Sequence, residues 1–463
     1  MGQLFGTDGV RGLANHDLTA NLALKLGQSA GRVLTRGSKM SSTRAIVGRD
    51  TRVSGDFLSA AVCAGLASAG VDVKNVGILP TPGIAYLTNL LGVDIGVVIS
   101  ASHNAMPDNG IKFFSRSGFK LDDLIEEEIE QELDNDNWVH PTGRNVGWIT
   151  TDNESAHNAY VNHLVDAISL DGDKQLVQKP LDGLHIVLDT ANGAASKVAP
   201  DVFSLTGAKV TLINASPDGY NINENCGSTH PQELQDVVKA KHADFGVAFD
   251  GDADRCIAVD ENGELVDGDK IIAILALSMK QAGTLKNNKV AMTVMSNLGI
   301  RNAILDAGIN IETTGIGDRY VLEDMIKNDL VLGGEQSGHI INLNHSTTGD
   351  GVLSALLLAS ILQSERRKHQ NTIPLSDLTK NFKKFPQVLI NVSGVNHEAL
   401  ENDKELQRFA LELKEELGSD GRILLRASGT EPIVRVMVES SSIEVTEDAA
   451  NLLATKVRER LAL

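Results

Sequence analysis

Short apolar runs that close in polar, glycine-bearing loops recur along the chain, as "RAIVGRDTRVSG" at 44–55, "LHIVLDTANGAAS" at 184–196 and "KVAMTVMSNLGIR" at 289–301. Each is followed by a helix-like stretch rich in Ala and Leu, and then by a second strand: "VDVKNVGILPTPG" from 71, "AKVTLINASPDGYN" from 208, "INIETTGIGDRYV" from 309. After a further helical stretch comes a third strand, in "DIGVVISASHN" (94–104), "DFGVAFDGDADR" (244–255) and "DLVLGGEQSGH" (329–339). Strands alternating with helices imply crossover connections and sheets covered on both faces. The expectation is an α/β protein of three related α/β domains with mixed sheets. The pattern breaks at "SERRKHQNTIP" (364–374), which reads as a linker. Beyond it, "FPQVLINVSG", a Glu/Lys/Leu helix around 398–417, "GRILLRASGTEP" and "IVRVMVES" predict a smaller C-terminal α+β domain. The expected domains are 1–154, 155–258, 259–370 and 371–463. All three third strands end in a distinctive polar loop, and in open α/β sheets ligands bind beyond the carboxyl ends of the strands. The loops are therefore expected to meet around a central cleft.

A chain of 463 residues is too long for one core, which agrees with several domains. The net charge of −19, with no lysine-rich run to offset it, argues against nucleic acid or an anionic membrane as partner, so any anionic ligand must be held locally. Cys63, Cys226 and Cys256 are scattered without a CxxC pair, which suggests neither a disulfide framework nor a zinc site. The opening "MGQLFGTDGVRG" lacks the layout of a signal peptide, and no apolar run is long enough to span a bilayer. A cytoplasmic protein is expected.

Chemistry concentrates in the loops. In "DGDADR" (250–255) carboxylates alternate, and on a straight strand they would lie about 7 Å apart, too wide for one ion. Asp250, Asp252 and Asp254 can share a magnesium only if the chain curls, which Gly251 and Ala253 are small enough to allow. A calcium loop reaching Glu261 is the rival, weakened by Arg255 where that loop needs glycine, and a solvated acidic turn is the plain alternative. Magnesium sites usually complete themselves with water and phosphate oxygen. Ser102 in "SASHN" is the candidate phosphate carrier, with a simple capping serine as the alternative. The "RASGTEPIVR" segment (426–435) gathers Arg426, Ser428, Gly429, Thr430 and Arg435 into a plausible phosphate cradle, or else an ordinary hairpin. In "GGEQSGH" (333–339), Glu335 and Ser337 suit sugar hydroxyls, unless this is only a glycine-rich turn with a surface His339. Thr7 and Arg11 could add phosphate contacts. No P-loop is present, so a P-loop kinase is not expected.

Taken in order, "FGTDGVRG", "GRDTRVSG", "SASHN", "DGDADR", "GIGDRY", "GEQSGH" and "RASGTEP" resemble the α-D-phosphohexomutase superfamily over nearly the whole chain. Within it, "DGYNINENCGSTHP" (218–231), "TVMSNLG" (293–299) and "GEQSGH" are most similar to the branch that acts on glucosamine phosphates. The family's usual proline after "SASHN" is Ala105 here, which loosens the turn slightly. The resemblance implies a phosphoserine at Ser102 and one Mg²⁺ held by Ser102, Asp250, Asp252 and Asp254. It implies Arg11 and Arg255 against the transferring phosphoryl group, and Lys112 and His339 in acid and base work. Glu335 and Ser337 match sugar contacts, and Arg426, Ser428, Gly429, Thr430 and Arg435 match the distal phosphate site. A phosphosugar substrate and a hexose 1,6-bisphosphate activator follow from it, and a homodimer is left open. A phosphomannomutase or phosphoglucomutase is the nearest rival and a metal-dependent phosphatase the more distant one.

Overall fold

The computed structural model describes residues 4–6, 8–34, 36, 43–135, 137–169, 177–427 and 433–462. Strands β1 (Val10–Leu13), β2 (Thr43–Arg49), β3 (Val71–Ile78), β4 (Ile95–Ile99), β5 (Asp108–Ser115) and β6 (Ile149–Thr151) form one sheet in the order β1-β5-β4-β2-β3-β6. A second sheet contains β7 (His185–Asp189), β8 (Lys209–Ile213), β9 (Phe245–Phe249), β10 (Cys256–Asp260) and β11 (Leu265–Val266), ordered β11-β10-β9-β7-β8. The third contains β12 (Lys289–Thr293), β13 (Asn310–Thr314), β14 (Leu332–Gly334) and β15 (Ile340–Asn342), ordered β13-β12-β14-β15.

The repeat legible in sequence is thus a repeat of topology. In every sheet the first strand of the unit lies between the second and the third. The third strand also pairs antiparallel with the strand after it, β4 with β5, β9 with β10, β14 with β15. These hairpins are what make the sheets mixed. They also explain the placement of the motifs: "SASHN", "DGDADR" and "EQSGH" each begin where a buried third strand ends and lead into its antiparallel partner. Strands β4 and β9 are buried along their whole length, as expected where helices cover both faces. In the first domain Val47, Val97 and Ile99 pack with Leu58, Val62 and Leu66 of the helix Ser54–Ser68.

The stretch expected as a linker is largely helical. The helix Gly351–His369 runs through "SERRKH" and stops at Gln370, whose φ of 51° is left-handed. Arg366, Arg367, Lys368 and His369 fill its last turn, where cations complement the helix dipole, so the polar run is a helix end.

The chain divides into two compact units, Met1–Val294 with Glu312–Thr379, and Met295–Ile311 with Lys380–Leu463. The first carries the "SASHN", "DGDADR" and "EQSGH" loops. In the second, β16 (Gln387–Ser393), β17 (Gly421–Ala427) and β18 (Ile433–Ser440) form an antiparallel sheet ordered β16-β18-β17. Val434, Val436 and Val438 bury against Ala450, Leu453 and Val457 of the helix Ile443–Leu461. The helix Leu298–Asp306 belongs to this unit too. Its capping residue Asn297 accepts from the N–H groups of Gly299 and Phe385 and donates to Phe385 O and Glu439 Oε1.

Candidate active site

Ser102 follows β4 with a backbone φ of 52°, a left-handed conformation that a non-glycine residue holds only when its surroundings impose it. Those surroundings are specific. Its N–H donates to Ser100 Oγ (3.0 Å), and Ser100 in turn donates to Asp50 Oδ2 (2.6 Å). Asp50 is paired with Arg52, whose side chain is fully buried and whose guanidinium donates to the carbonyls of Ser102, Asn104 and Ala105. From the second α/β domain, Asn223 Nδ2 donates to Ser102 O (2.9 Å) and Asn104 O (3.0 Å). The turn that Ala105 was expected to loosen is therefore tied through its carbonyls by Arg52 and Asn223.

The loop after β9 curls, with Ala253 at a φ of 56°, and brings one carboxylate oxygen from each of Asp250, Asp252 and Asp254 within 4.8 Å of one another. All three residues are buried. Ser102 Oγ donates to Asp250 Oδ2 at 2.6 Å, so the serine and the carboxylates share one place. Since the hydroxyl proton goes to Asp250, the 3.2 Å contact between Ser102 Oγ and His103 Nδ1 has the ring donating. Gly251 is needed at this junction, because a Cβ there would lie 2.6 Å from Ser102 O and 2.9 Å from Asn223 Nδ2.

Charge around the loop favours a cation. Burial, then the Asp254 and Asp252 charges, push the Asp250 carboxyl well above its ordinary range. Asp254 moves the other way: burial opposes its charge, but His339, Lys112 and Arg255 outweigh burial. Lys112 Nζ donates to Asp252 Oδ2 (3.1 Å) and lies 3.8 Å from Asp254 Oδ2. Burial disfavours its ammonium, yet Asp252, Asp8 and Asp254 overcome that and raise its pKa. Asp252 Oδ1 and Asp254 Oδ1 are buried and accept no hydrogen bond from the described residues. Two buried carboxylate oxygens without donors, beside a third carboxylate, fit a hard divalent cation with oxygen ligands.

His339 immediately precedes β15 and sits beside the same loop, bridged in the backbone to Arg255. Its Nε2 accepts from Gly349 N–H (3.1 Å), and its Nδ1 faces Asp254 Oδ2 at 3.6 Å. Burial disfavours the charged ring, but Asp254 and Asp318 raise its pKa above the usual imidazole value. Glu335 Oε1 accepts from Gly317 N–H (3.0 Å), and Ser337 Oγ donates to Glu335 Oε2 (3.5 Å). Arg11 Nη2 donates to Asp8 Oδ2 (2.9 Å), and Asp8 Oδ1 accepts from Lys120 (2.8 Å), which also pairs with Asp318. Arg255 and Arg11 both depress the pKa of His103, after burial, and keep its ring neutral.

In the C-terminal unit, β17 and β18 set Arg426 directly opposite Arg435. Like charges across an antiparallel pair repel, so this end of the ladder suits an anion. Ser428, Gly429 and Thr430, like Thr7, lie outside the described residues. Asp50, Arg52, Asn223, Thr81, Asp8 and Lys120 were not singled out from sequence. The signal for Arg52 was present, a charged pair one residue apart directly after a core strand in "GRDTR".

Residues 2–140 match the family described as "Phosphoglucomutase/phosphomannomutase, alpha/beta/alpha domain I", 158–263 match its domain II, 267–385 its domain III and 389–456 its C-terminal domain. The chain belongs to the phosphoglucomutase/phosphomannomutase family. A curated member of high identity, the phosphoglucosamine mutase of Bifidobacterium adolescentis, is 54% identical over 466 residues, covering 100% of both chains. Among solved family structures, a phosphoglucomutase/phosphomannomutase family protein from Burkholderia thailandensis superposes with a TM-score of 0.82 at 24% identity, over 99% of this chain and 98% of that one. The Aspergillus fumigatus N-acetylphosphoglucosamine mutase, solved with GlcNAc-6P and magnesium, has a TM-score of 0.66 at 19% identity, over 98% and 95%. The four-domain α/β architecture is thus the family's own. Among the described residues, no helix is long and apolar enough to cross a membrane.

Proposed function

We propose that this protein interconverts glucosamine 6-phosphate and glucosamine 1-phosphate, with Ser102 as phosphoryl carrier and glucosamine 1,6-bisphosphate as intermediate. It thereby feeds UDP-N-acetylglucosamine synthesis. Choice of sugar is supported by the full-length likeness to a phosphoglucosamine mutase at 54% identity. The observation that carries the mechanism is the 2.6 Å bond from Ser102 Oγ to Asp250 inside a buried trio of carboxylates.

A Mg²⁺ ion held by Asp250, Asp252, Asp254 and the serine phosphate would neutralise charge on the phosphoryl group as a Lewis acid. The protein does the rest by positioning, which phosphoryl transfer chiefly requires. As the P–Oγ bond of Ser102 breaks, a bond forms from phosphorus to O1 of the sugar. The O1 proton passes to the protein, and Oγ ends as the hydroxyl that donates to Asp250. Lys112, held as an ammonium by its carboxylate neighbours, suits the acid half of this exchange, and His339 is its partner in proton transfer. Arg11 and Arg255 face the phosphoryl group, and Glu335 and Ser337 hold sugar hydroxyls. The non-transferring phosphate goes to Arg426, Ser428, Gly429, Thr430 and Arg435. The bisphosphate then turns end for end and its 6-phosphate returns to Ser102, so a hexose 1,6-bisphosphate also reloads a dephosphorylated enzyme. Cys63, Cys226 and Cys256 are free and buried, in keeping with a reducing cytoplasm.

The test compares turnover of glucosamine, glucose and mannose phosphates by wild type and Ser102→Ala, with intact-mass analysis of both. Wild type should carry a phosphate that maps to Ser102, prefer glucosamine 6-phosphate and release almost no free phosphate. Ser102→Ala should melt near wild type and lose both the phosphate and essentially all mutase activity. A preference for mannose 6-phosphate would overturn the sugar assignment, and an active, phosphorylated Ser102→Ala would overturn the mechanism.

A further inference from the structure

The "LPTPG" segment that follows β3 has no part in the chemistry assigned above, yet it reaches the carboxylate loop of the neighbouring α/β domain. Thr81 is the first residue of the helix Thr81–Leu90 and is buried. Its Oγ1 donates to Asp252 Oδ2 at 2.7 Å, and its backbone N–H donates to Asp252 O at 3.0 Å. Lys112 Nζ donates to the same Oδ2 at 3.1 Å. The two donors therefore crowd onto one carboxylate oxygen of Asp252, while Oδ1, equally buried, accepts nothing from the described residues. By contrast both oxygens of Asp250 are engaged, Oδ2 by Ser102 Oγ and Oδ1 by the N–H of Arg255.

We infer that Thr81 is a positioning residue for the cation site: with Lys112 it occupies Oδ2 of Asp252, fixes the plane of the carboxylate and leaves Oδ1 to face a divalent cation. The inference rests on the reading of the acidic loop as a cation site. The physical reason is that a carboxylate with a free torsion presents either oxygen and pays ordering entropy on binding, whereas one pinned by two donors is already oriented. The backbone bond from Thr81 to Asp252 fixes the loop's path. The hydroxyl fixes the side chain, and the two contributions separate by mutation.

The experiment measures Mn²⁺ binding to the full chain without substrate, by loss of the free Mn²⁺ paramagnetic signal. The phosphorylation state of Ser102 is matched among preparations by intact mass. Thr81→Val keeps shape and removes the hydroxyl, Thr81→Ser keeps the hydroxyl, and Thr81→Ala removes it without the bulk of Val should Thr81→Val fail to fold. Loss of such an outer contact weakens metal binding about 10- to 100-fold. Thr81→Val and Thr81→Ala should each bind Mn²⁺ at least about tenfold more weakly, and Thr81→Ser should stay close to wild type. A hydroxyl-free variant that binds Mn²⁺ like wild type overturns the inference while leaving the cation site standing. Wild type that takes up no Mn²⁺ overturns the cation site itself and the inference with it.

Discussion

Asn223 holds the serine loop from outside its own domain, and Asn223→Gly isolates what that hold is worth. The residue has a φ of 58°, so alanine would add left-handed strain to the loss of the side chain, while glycine adopts that backbone freely. The substitution removes the hydrogen bonds from Nδ2 to Ser102 O and Asn104 O, at about 1 kcal/mol each. The greater freedom of glycine in the unfolded chain adds about 0.5–1 kcal/mol, for a total near 2–3 kcal/mol. Both carbonyls keep Arg52 as a second donor, so neither is stranded and the fold should survive. If the whole of roughly 2 kcal/mol is loop-holding energy, the productive placement of Ser102 becomes up to about 30-fold rarer. The expected result is kcat down about 10- to 30-fold with KM for glucosamine 6-phosphate nearly unchanged, since the clamp touches the serine and no proposed sugar contact. Steady-state assays at saturating bisphosphate give both constants, and thermal melting gives the stability loss. An Asn223→Gly enzyme that melts earlier but turns over at the wild-type rate would refute the positioning role.

Gly251→Ala should be more damaging, because the new Cβ would lie 2.6 Å from Ser102 O and 2.8 Å from Ile222 Cδ1. Such overpacking costs about 1–3 kcal/mol, and we expect a lower melting temperature together with a loss of most activity; an unimpaired enzyme would show that the two loops are not locked in this arrangement. Asp350 gives a test of pH dependence. It caps the helix Gly351–His369 by accepting from Leu353 N–H (2.9 Å) and also accepts from Tyr160 Oη (2.9 Å). Burial pushes its carboxyl up to about 7 from the ordinary 3.8. The folded state thus binds the proton more tightly than the unfolded one. Its contribution turns unfavourable as pH rises from about 4 to about 7, by an amount on the order of 4 kcal/mol. Asp350→Asn keeps the cap and cannot ionise, so its melting temperature should gain on wild type across that window. Parallel melting curves would contradict this.

Much of the architecture could be read from the pattern of strands, because parallel strands buried on both faces leave uninterrupted apolar runs that end abruptly in polar loops. The alternating carboxylates of "DGDADR" likewise pointed to a curl, which Ala253 supplies. What the chain order hides is reach between domains. Thr81 and Asp252 are bonded although 171 positions apart, and Asn223 and Ser102 although 121 apart. Nothing local marks Thr81 as part of a site, and Asn223, though inside the quoted segment 218–231, gives no sign of which loop it holds. The stretch 364–374 misled for a different reason: polar residues at an exposed helix end look like a linker when the apolar face that precedes them is not counted as one helix with them. The association of Leu298–Asp306 with the C-terminal sheet was equally hidden, since it depends on Asn297 meeting Phe385 and Glu439.

The mutual grip of the first two α/β domains has a consequence for synthesis. Domains generally fold as they leave the ribosome, amino-terminal part first. Ser102 therefore emerges more than a hundred residues ahead of Asn223, which clamps its loop, and still further ahead of Asp250, which receives its proton. A nascent first domain carries the hydroxyl without its clamp or its acceptor, and Thr81 and Lys112 wait without the carboxylate they orient. The serine hydroxyl and its acceptor thus meet only once residue 250 has been made, and the site belongs to two domains rather than to one.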